Sequence, residues 1–172
     1  MRQIRVGYGI DSHKVESKNL VPVLFRQEAK PFVLAGVAIA SELSPIAHSD
    51  GDVVVHAVAN AILSAAGHRG IGHYFPDSDE RWRNVEGRII VKKALEMAKE
   101  GGWKPVNVSV AIVAGQPSLD GYVDEMRESL AGMLGFRLSK DPSRVGITVM
   151  SGKGLGDSGA GIEAYATALL RR

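Results

Sequence analysis

Three side chains in this sequence could share one divalent cation: Asp11 and His13, two residues apart, and His56, far along the chain. A carboxylate and two imidazoles make three ligands. Three protein ligands leave a tetrahedral zinc with one open position, the pattern of a catalytic rather than a structural site. His56 follows a polar run, Ala47-His48-Ser49-Asp50-Gly51-Asp52, that leads into an apolar stretch. His48 and Ser49 stand just ahead of an expected helix, where free N–H groups and the helix dipole suit phosphate. Gly152-Lys153-Gly154-Leu155-Gly156 could wrap phosphates with backbone amides and Lys153, although it matches no nucleotide-binding glycine motif. On spacing alone each feature has a plainer reading beside the chemical one. Asp11 can cap a turn beside two ordinary half-buried histidines, Ser49 can simply cap the helix, and the glycines can be a flexible connection. His68 and His73 read as solvated loop residues, Arg127 as a surface ion-pair partner, and Trp82 and Trp103 as packing.

The elements that must position these groups follow from periodicity. Ile4, Val6, Tyr8 and Ile10 alternate as in a half-buried strand over 3–10; if it stays extended, Asp11 and His13 project to one face. Residues 15–31 contain Pro22 and Pro31 and read as a long loop, and 32–39 as a second strand. Ser49 or Asp50 is positioned to cap a helix that runs to about residue 66 and stops at Gly67, with Asp52 in the first turn where the dipole favours negative charge. Val53, Val54, Ala57, Ala61, Ile62 and Ala65 supply its apolar face. Residues 71–79 are irregular, with a compact turn at Phe75-Pro76-Asp77-Ser78-Asp79. Helices are expected over 86–100 and 119–134, strands over 106–113 and 144–150, and a strand or short helix over 162–170. The expected class is α+β: a single mixed β-sheet with helices packed on one face, ferredoxin-like, in one domain spanning 1–172.

Composition narrows the function. The chain has 172 residues, no cysteine and a net charge of +2. Disulfides, thiolate chemistry and cysteine-based zinc sites are therefore excluded, and any metal must be held by histidine and carboxylate. The positive charges are interleaved with acids, as in Glu80, Arg81, Arg83, Glu86 and Arg88, so no nucleic-acid surface is expected. No signal-peptide core or membrane-spanning run is visible, which points to a cytoplasmic protein.

Taken together, several motifs resemble the 2-C-methyl-D-erythritol 2,4-cyclodiphosphate synthase family. They are Gly9-Ile10-Asp11-Ser12-His13, Ala47-His48-Ser49-Asp50-Gly51-Asp52 leading to His56, Ile71-Gly72, Phe75-Pro76-Asp77-Ser78-Asp79 and Met126-Arg127. The resemblance implies a homotrimer with active sites between subunits and zinc, or another divalent cation, on Asp11, His13 and His56. It implies a cytidine diphosphate ester of methylerythritol as substrate. The ester's 2-phosphate attacks the β-phosphorus and CMP leaves, with zinc as Lewis acid and template. His48 and Ser49 would then face phosphate, with Ser151 and Lys153 completing the catalytic set. Gly72, Phe75, Pro76, Asp77, Ser78 and Asp79 would hold the methylerythritol. Ala114, Pro117, Ser118 and Leu119, with Thr148, Val149 and Met150, would line the cytidine pocket of a neighbouring subunit. The departures fall on the nucleotide side. Gly70 stands where the family has a ribose-holding aspartate, and Ser118 where it has lysine. Gly152 replaces a magnesium-binding glutamate, and Ser158 a phosphate-binding arginine. A magnesium ion thus lacks its usual ligand, with Asp157 the nearby carboxylate that could replace it. The alternatives are a divergent enzyme using the zinc site on another phosphorylated or diphosphate substrate, or a non-catalytic trimer that binds a metabolite.

Overall fold

Strand β1 (Ile4–Ser17) is longer than the alternation in its first half suggests, and it carries Asp11 and His13 within it. The computed structural model describes residues 2–152 and 161–172. After β1 the expected loop contains a short helix, α1 (Val21–Phe25), which ends at Arg26 in the left-handed region (φ 53°). The expected strand over 32–39 is a hairpin of β2 (Phe32–Leu34) and β3 (Val37–Ile39). Its turn residues, Ala35 and Gly36, both have positive φ. β4 (Leu43–Pro45) then pairs antiparallel with the end of β1.

Helix α2 (Val53–Ala66) ends as expected at Gly67, left-handed at φ 82°, but its N-cap is Asp52 rather than Ser49 or Asp50. The Asp52 carboxylate accepts from the amides of Val55, Ala35 and Gly36, so one buried side chain caps α2 and also pins the β2–β3 turn. A turn of helix, α3 (Ile71–Tyr74), breaks the irregular stretch, and α4 (Gly87–Glu100) follows. β5 (Lys104–Ala114) has an irregularity between Pro105 and Asn107, and α5 (Val123–Met133) is preceded by a 3-10 turn. β6 (Val145–Ser151) and β7 (Gly161–Arg171) complete the chain, the last element being a strand and not a helix.

The main sheet is mixed, in the order β4-β1-β7-β5-β6, with β5 and β6 parallel and the other neighbours antiparallel. This corrects the ferredoxin-like expectation. That fold runs β-α-β-β-α-β, whereas here the consecutive strands β6 and β7 come last, and β7 inserts between β1 and β5. On β7 and β5 the buried residues alternate, Ile162 to Leu170 and Val108 to Ala114, so one face of the sheet holds the core. Helix α2 lies on that face against β1 and β7 and is covered in turn by α4.

The alternation in β1 is real, but its inside is not the apolar side. Ile4, Val6, Tyr8 and Ile10 are between 47% and 70% exposed, and Gly7 and Gly9 face α2. A Cβ at Gly9 would lie 2.2 Å from the Ala57 carbonyl oxygen, and one at Gly7 2.0 Å from that of Ala61. Only glycine leaves room for such an approach. Small partners across the register, Ala168 opposite Gly7 and Ala166 opposite Gly9, extend the same shallow track. The helix therefore settles directly on the sheet. His56, in its first turn, comes down beside Asp11, two residues past Gly9.

Candidate metal centre and active-site cavity

Asp11 Oδ2 lies 3.0 Å from His56 Nδ1 and 3.3 Å from His13 Nε2. The two imidazoles stand edge-on, with ring centroids 6.1 Å apart and planes at 87°. One ligand atom from each of the three residues falls within 4.8 Å of the others. Ligands held about 2.0–2.1 Å from a tetrahedral zinc lie roughly 3.4 Å from one another, so the spacing suits such an ion. His13 Nε2 and His56 Nε2 are both buried without a hydrogen-bond partner among the described residues. The donor set and its geometry fit a divalent cation.

Charge around the centre is arranged by burial and by a second carboxylate. Asp50 Oδ1 stands 3.5 Å from His56 Nε2, an ion-pair distance longer than a hydrogen bond. Its other oxygen accepts from the Gly87 amide at 2.6 Å, at the start of α4. Burial opposes a charge on Asp50, yet His56 and the amides of Gly87 and Asp52 outweigh it and lower its pKa. Burial likewise works against a charged His56, but the carboxylates of Asp11 and Asp50 prevail and push its pKa up to about 9. His13 goes the other way: burial lowers its pKa, only partly offset by Asp11. A neutral His13 offers a lone pair directly, whereas at His56 a metal must displace a proton. Asp52, sealed in the core, has its pKa raised by burial to about 6 despite the amides that favour its charge.

These groups open onto a cavity of about 1210 Å³. Its walls bring together many of the residues singled out from sequence: Asp11, His13, His48, Ser49, His56, Gly72, Phe75 and Asp77. His48 Nε2 is buried there without a hydrogen-bond partner among the described residues. Pro76, Ser78 and Asp79 belong to the same turn but not to the wall, and Asp79 is engaged with Arg81. Ala114, Pro117, Ser118, Leu119, Thr148, Val149, Met150 and Ser151 are absent from this cavity. They sit where β5 and β6 end; Ala114 and Leu119 are packed in the core and Met150 is exposed. Lys153, Asp157 and Ser158 lie outside the described residues.

Several wall residues carry no sequence signal. Asp50 is visible in its motif only as a cap, and its proximity to His56 depends on the fold. Trp82, read as packing, lines the cavity and packs edge-on against Phe75 with centroids 4.8 Å apart. Lys30, in the expected loop, reaches back to residues 47–49. Arg127 forms an ion pair with exposed Asp124, and its guanidinium also donates to the Val145 and Pro142 carbonyls, anchoring the start of β6.

Known proteins match the chain over almost its whole length. The family model described as the YgbB family matches residues 4–171. A 2-C-methyl-D-erythritol 2,4-cyclodiphosphate synthase from Rubrobacter xylanophilus is 39% identical over 170 residues, covering 98% of this chain and 95% of its own. The synthase of the same name from Alkalilimnicola ehrlichii is 37% identical over 171 residues, covering 98% and 96%. A solved structure of such a synthase bound to CDP superposes with a TM-score of 0.82 at 31% identity, covering 96% of this chain and 99% of that one. The Asp-His-His cluster, the cavity it opens onto and the full-length match lead to one conclusion: the chain belongs to the YgbB family, that of the 2-C-methyl-D-erythritol 2,4-cyclodiphosphate synthases.

Proposed function

We propose that this chain is a zinc-dependent synthase that cyclises a cytidine-diphosphate methylerythritol 2-phosphate to the 2,4-cyclodiphosphate and releases CMP. Family membership carries the lyase class and the cyclodiphosphate synthase type, within isoprenoid biosynthesis. The zinc, the CMP leaving group and a site shared between subunits are the further step. The observation that supports the metal is the single Asp11 oxygen that meets both imidazoles at the wall of a cavity also lined by His48, Ser49 and Phe75.

Asp11, His13 and His56 would hold the ion, which when bound supplies Lewis-acid polarisation and a template for phosphate oxygens. Asp50, 3.5 Å from the far nitrogen of His56, would stand as the outer carboxylate behind that imidazole once the ion is bound. His48 and Ser49 face the phosphates from the loop before α2, and Gly72, Phe75 and Asp77 receive the methylerythritol end. Holding both reacting phosphates in line is most of the catalysis in such a transfer.

The cytidine-side residues, Pro117, Ser118 and Thr148 among them, are away from this cavity in their own chain. They are read as serving a neighbouring copy in a homotrimer, each copy a single domain, 1–172, in the cytoplasm. A second reading has its own observation, Gly152 and Ser118 on the nucleotide side: the same metal centre acting on a different phosphorylated or diphosphate ester. Incubating the protein with the cytidine substrate, zinc and magnesium decides between them. The first reading expects CMP to appear catalytically, and no release at high enzyme concentration contradicts it.

A further inference from the structure

The geometry points to Lys30 as a positioning residue of the metal centre, tying the strand that carries Asp11 and His13 to the loop that carries His48, Ser49 and Asp50. This rests on the metal-dependent reading above. An ammonium has three hydrogens, and Lys30 Nζ has three main-chain acceptors in reach. They are the carbonyls of Ala47 at 2.5 Å, His48 at 3.2 Å, and Ser49. The residues are consecutive, so the 47–49 backbone curls around the cation with its carbonyls turned inward. With its donors committed, Lys30 acts on the cavity through the loop rather than on a phosphate.

The other end of the lysine is fixed equally well. Its amide donates to Ser44 Oγ at 2.8 Å, and Ser44 is fully buried in β4, opposite Glu16 of β1. Pro31 follows, and β2 begins at the next residue. One residue thus joins β4, which pairs with β1 just past His13, to the segment leading into α2. That segment ends in Asp50, 3.5 Å from His56 Nε2. Burial pulls the Lys30 ammonium below the ordinary lysine range, and the charge that opposes this is again Asp50.

Removing the tripod takes the ammonium from three carbonyls, of which that of His48 keeps only the Asn84 amide at 2.8 Å, and lets 47–49 relax. A displacement of about 1 Å at such a loop can cost about a hundredfold in rate. Arginine keeps the charge, but its flat fork cannot serve three acceptors that converge on one point.

The test uses the full chain as Lys30→Met and Lys30→Arg. Zinc affinity is measured by competition with a chromophoric chelator, together with CMP-release kinetics and thermal unfolding. Both variants are expected to take up as much zinc as the unsubstituted chain, with affinity about tenfold weaker. Turnover should fall about 10- to 100-fold, mainly in kcat rather than KM. Zinc affinity and kcat within about twofold of the unsubstituted chain overturn the proposal. So do losses that merely track the unfolded fraction, or failure of both variants to fold, which mark a structural role. If the unsubstituted protein binds zinc but releases no CMP, the proposed reaction fails while the zinc competition still decides the role of Lys30. A chain that takes up no zinc overturns both.

Discussion

Asp11 is the residue on which the centre turns, because one of its oxygens meets both imidazoles. Asp11→Asn preserves its size and removes its charge. Zinc should be lost on gel filtration, and activity should fall about 1,000-fold or more, several kcal/mol of transition-state stabilisation. Metal analysis and CMP release check both. His56 gives a pH signature to the metal-free protein. Its folded pKa, about 9, is raised above the ordinary 6.5, so the folded state holds its proton more tightly. That contribution to stability is complete below pH 6.5 and is lost as the pH rises through about 9. Chelator-treated protein should therefore unfold at falling temperature across this window. Zinc-loaded protein, in which the ion replaces the proton, should not show this decline. Thermal unfolding of both forms over the same pH range makes the comparison.

At the scale of elements, the site depends on how closely α2 rides on β1. Gly9→Ala drives a Cβ to within 2.2 Å of the Ala57 carbonyl, a backbone atom that cannot swing aside. The helix must lift, carrying His56 from Asp11, and the expected cost is about 2–3 kcal/mol with loss of zinc affinity. Denaturant unfolding and zinc titration measure the two effects. Asp52→Ala should cost about 3 kcal/mol or more, because three amides from two elements lose their acceptor; Gly36 and Val55 amide exchange should accelerate together. These two sites also show what the sequence could and could not convey. The period of β1 is plain, yet the strand's inner face is marked by Gly7 and Gly9 and not by its apolar residues. Hydrophobic alternation therefore points to the wrong side. The 32–39 run reads as one strand because the acceptor that makes Ala35 and Gly36 a turn is Asp52, far along the chain. The three long helices and their glycine stops were legible because periodicity and C-terminal glycines are local. The N-cap of α2 instead fell on Asp52, and the short helices α1 and α3 carried no such period. Asp11, His13 and His56 were legible as a ligand set by type and motif. Asp50, Trp82 and Lys30 were not, since their parts arise only when distant segments meet.

At the scale of the whole molecule, the open face of the sheet is the feature a single chain leaves unexplained. Ile4, Val6, Tyr8 and Ile10 present a continuous apolar stripe on β1, the kind of surface that monomers rarely leave to water. In the proposed homotrimer a neighbouring copy would cover this stripe and would receive the cytidine-side residues at its own cavity. Val6→Lys on that stripe should shift the mass seen by light scattering from trimer to monomer and abolish turnover while zinc uptake persists. The most direct test of the central claim follows the phosphorus itself. A phosphorus NMR time course of the cytidine-diphosphate methylerythritol 2-phosphate substrate is recorded with zinc-loaded, metal-stripped and Asp11→Asn protein. The account predicts paired resonances of a cyclic diphosphate growing in step with CMP in the zinc-loaded sample alone. A cyclic product forming equally without metal or without Asp11, or CMP appearing with only linear phosphate products, would contradict it.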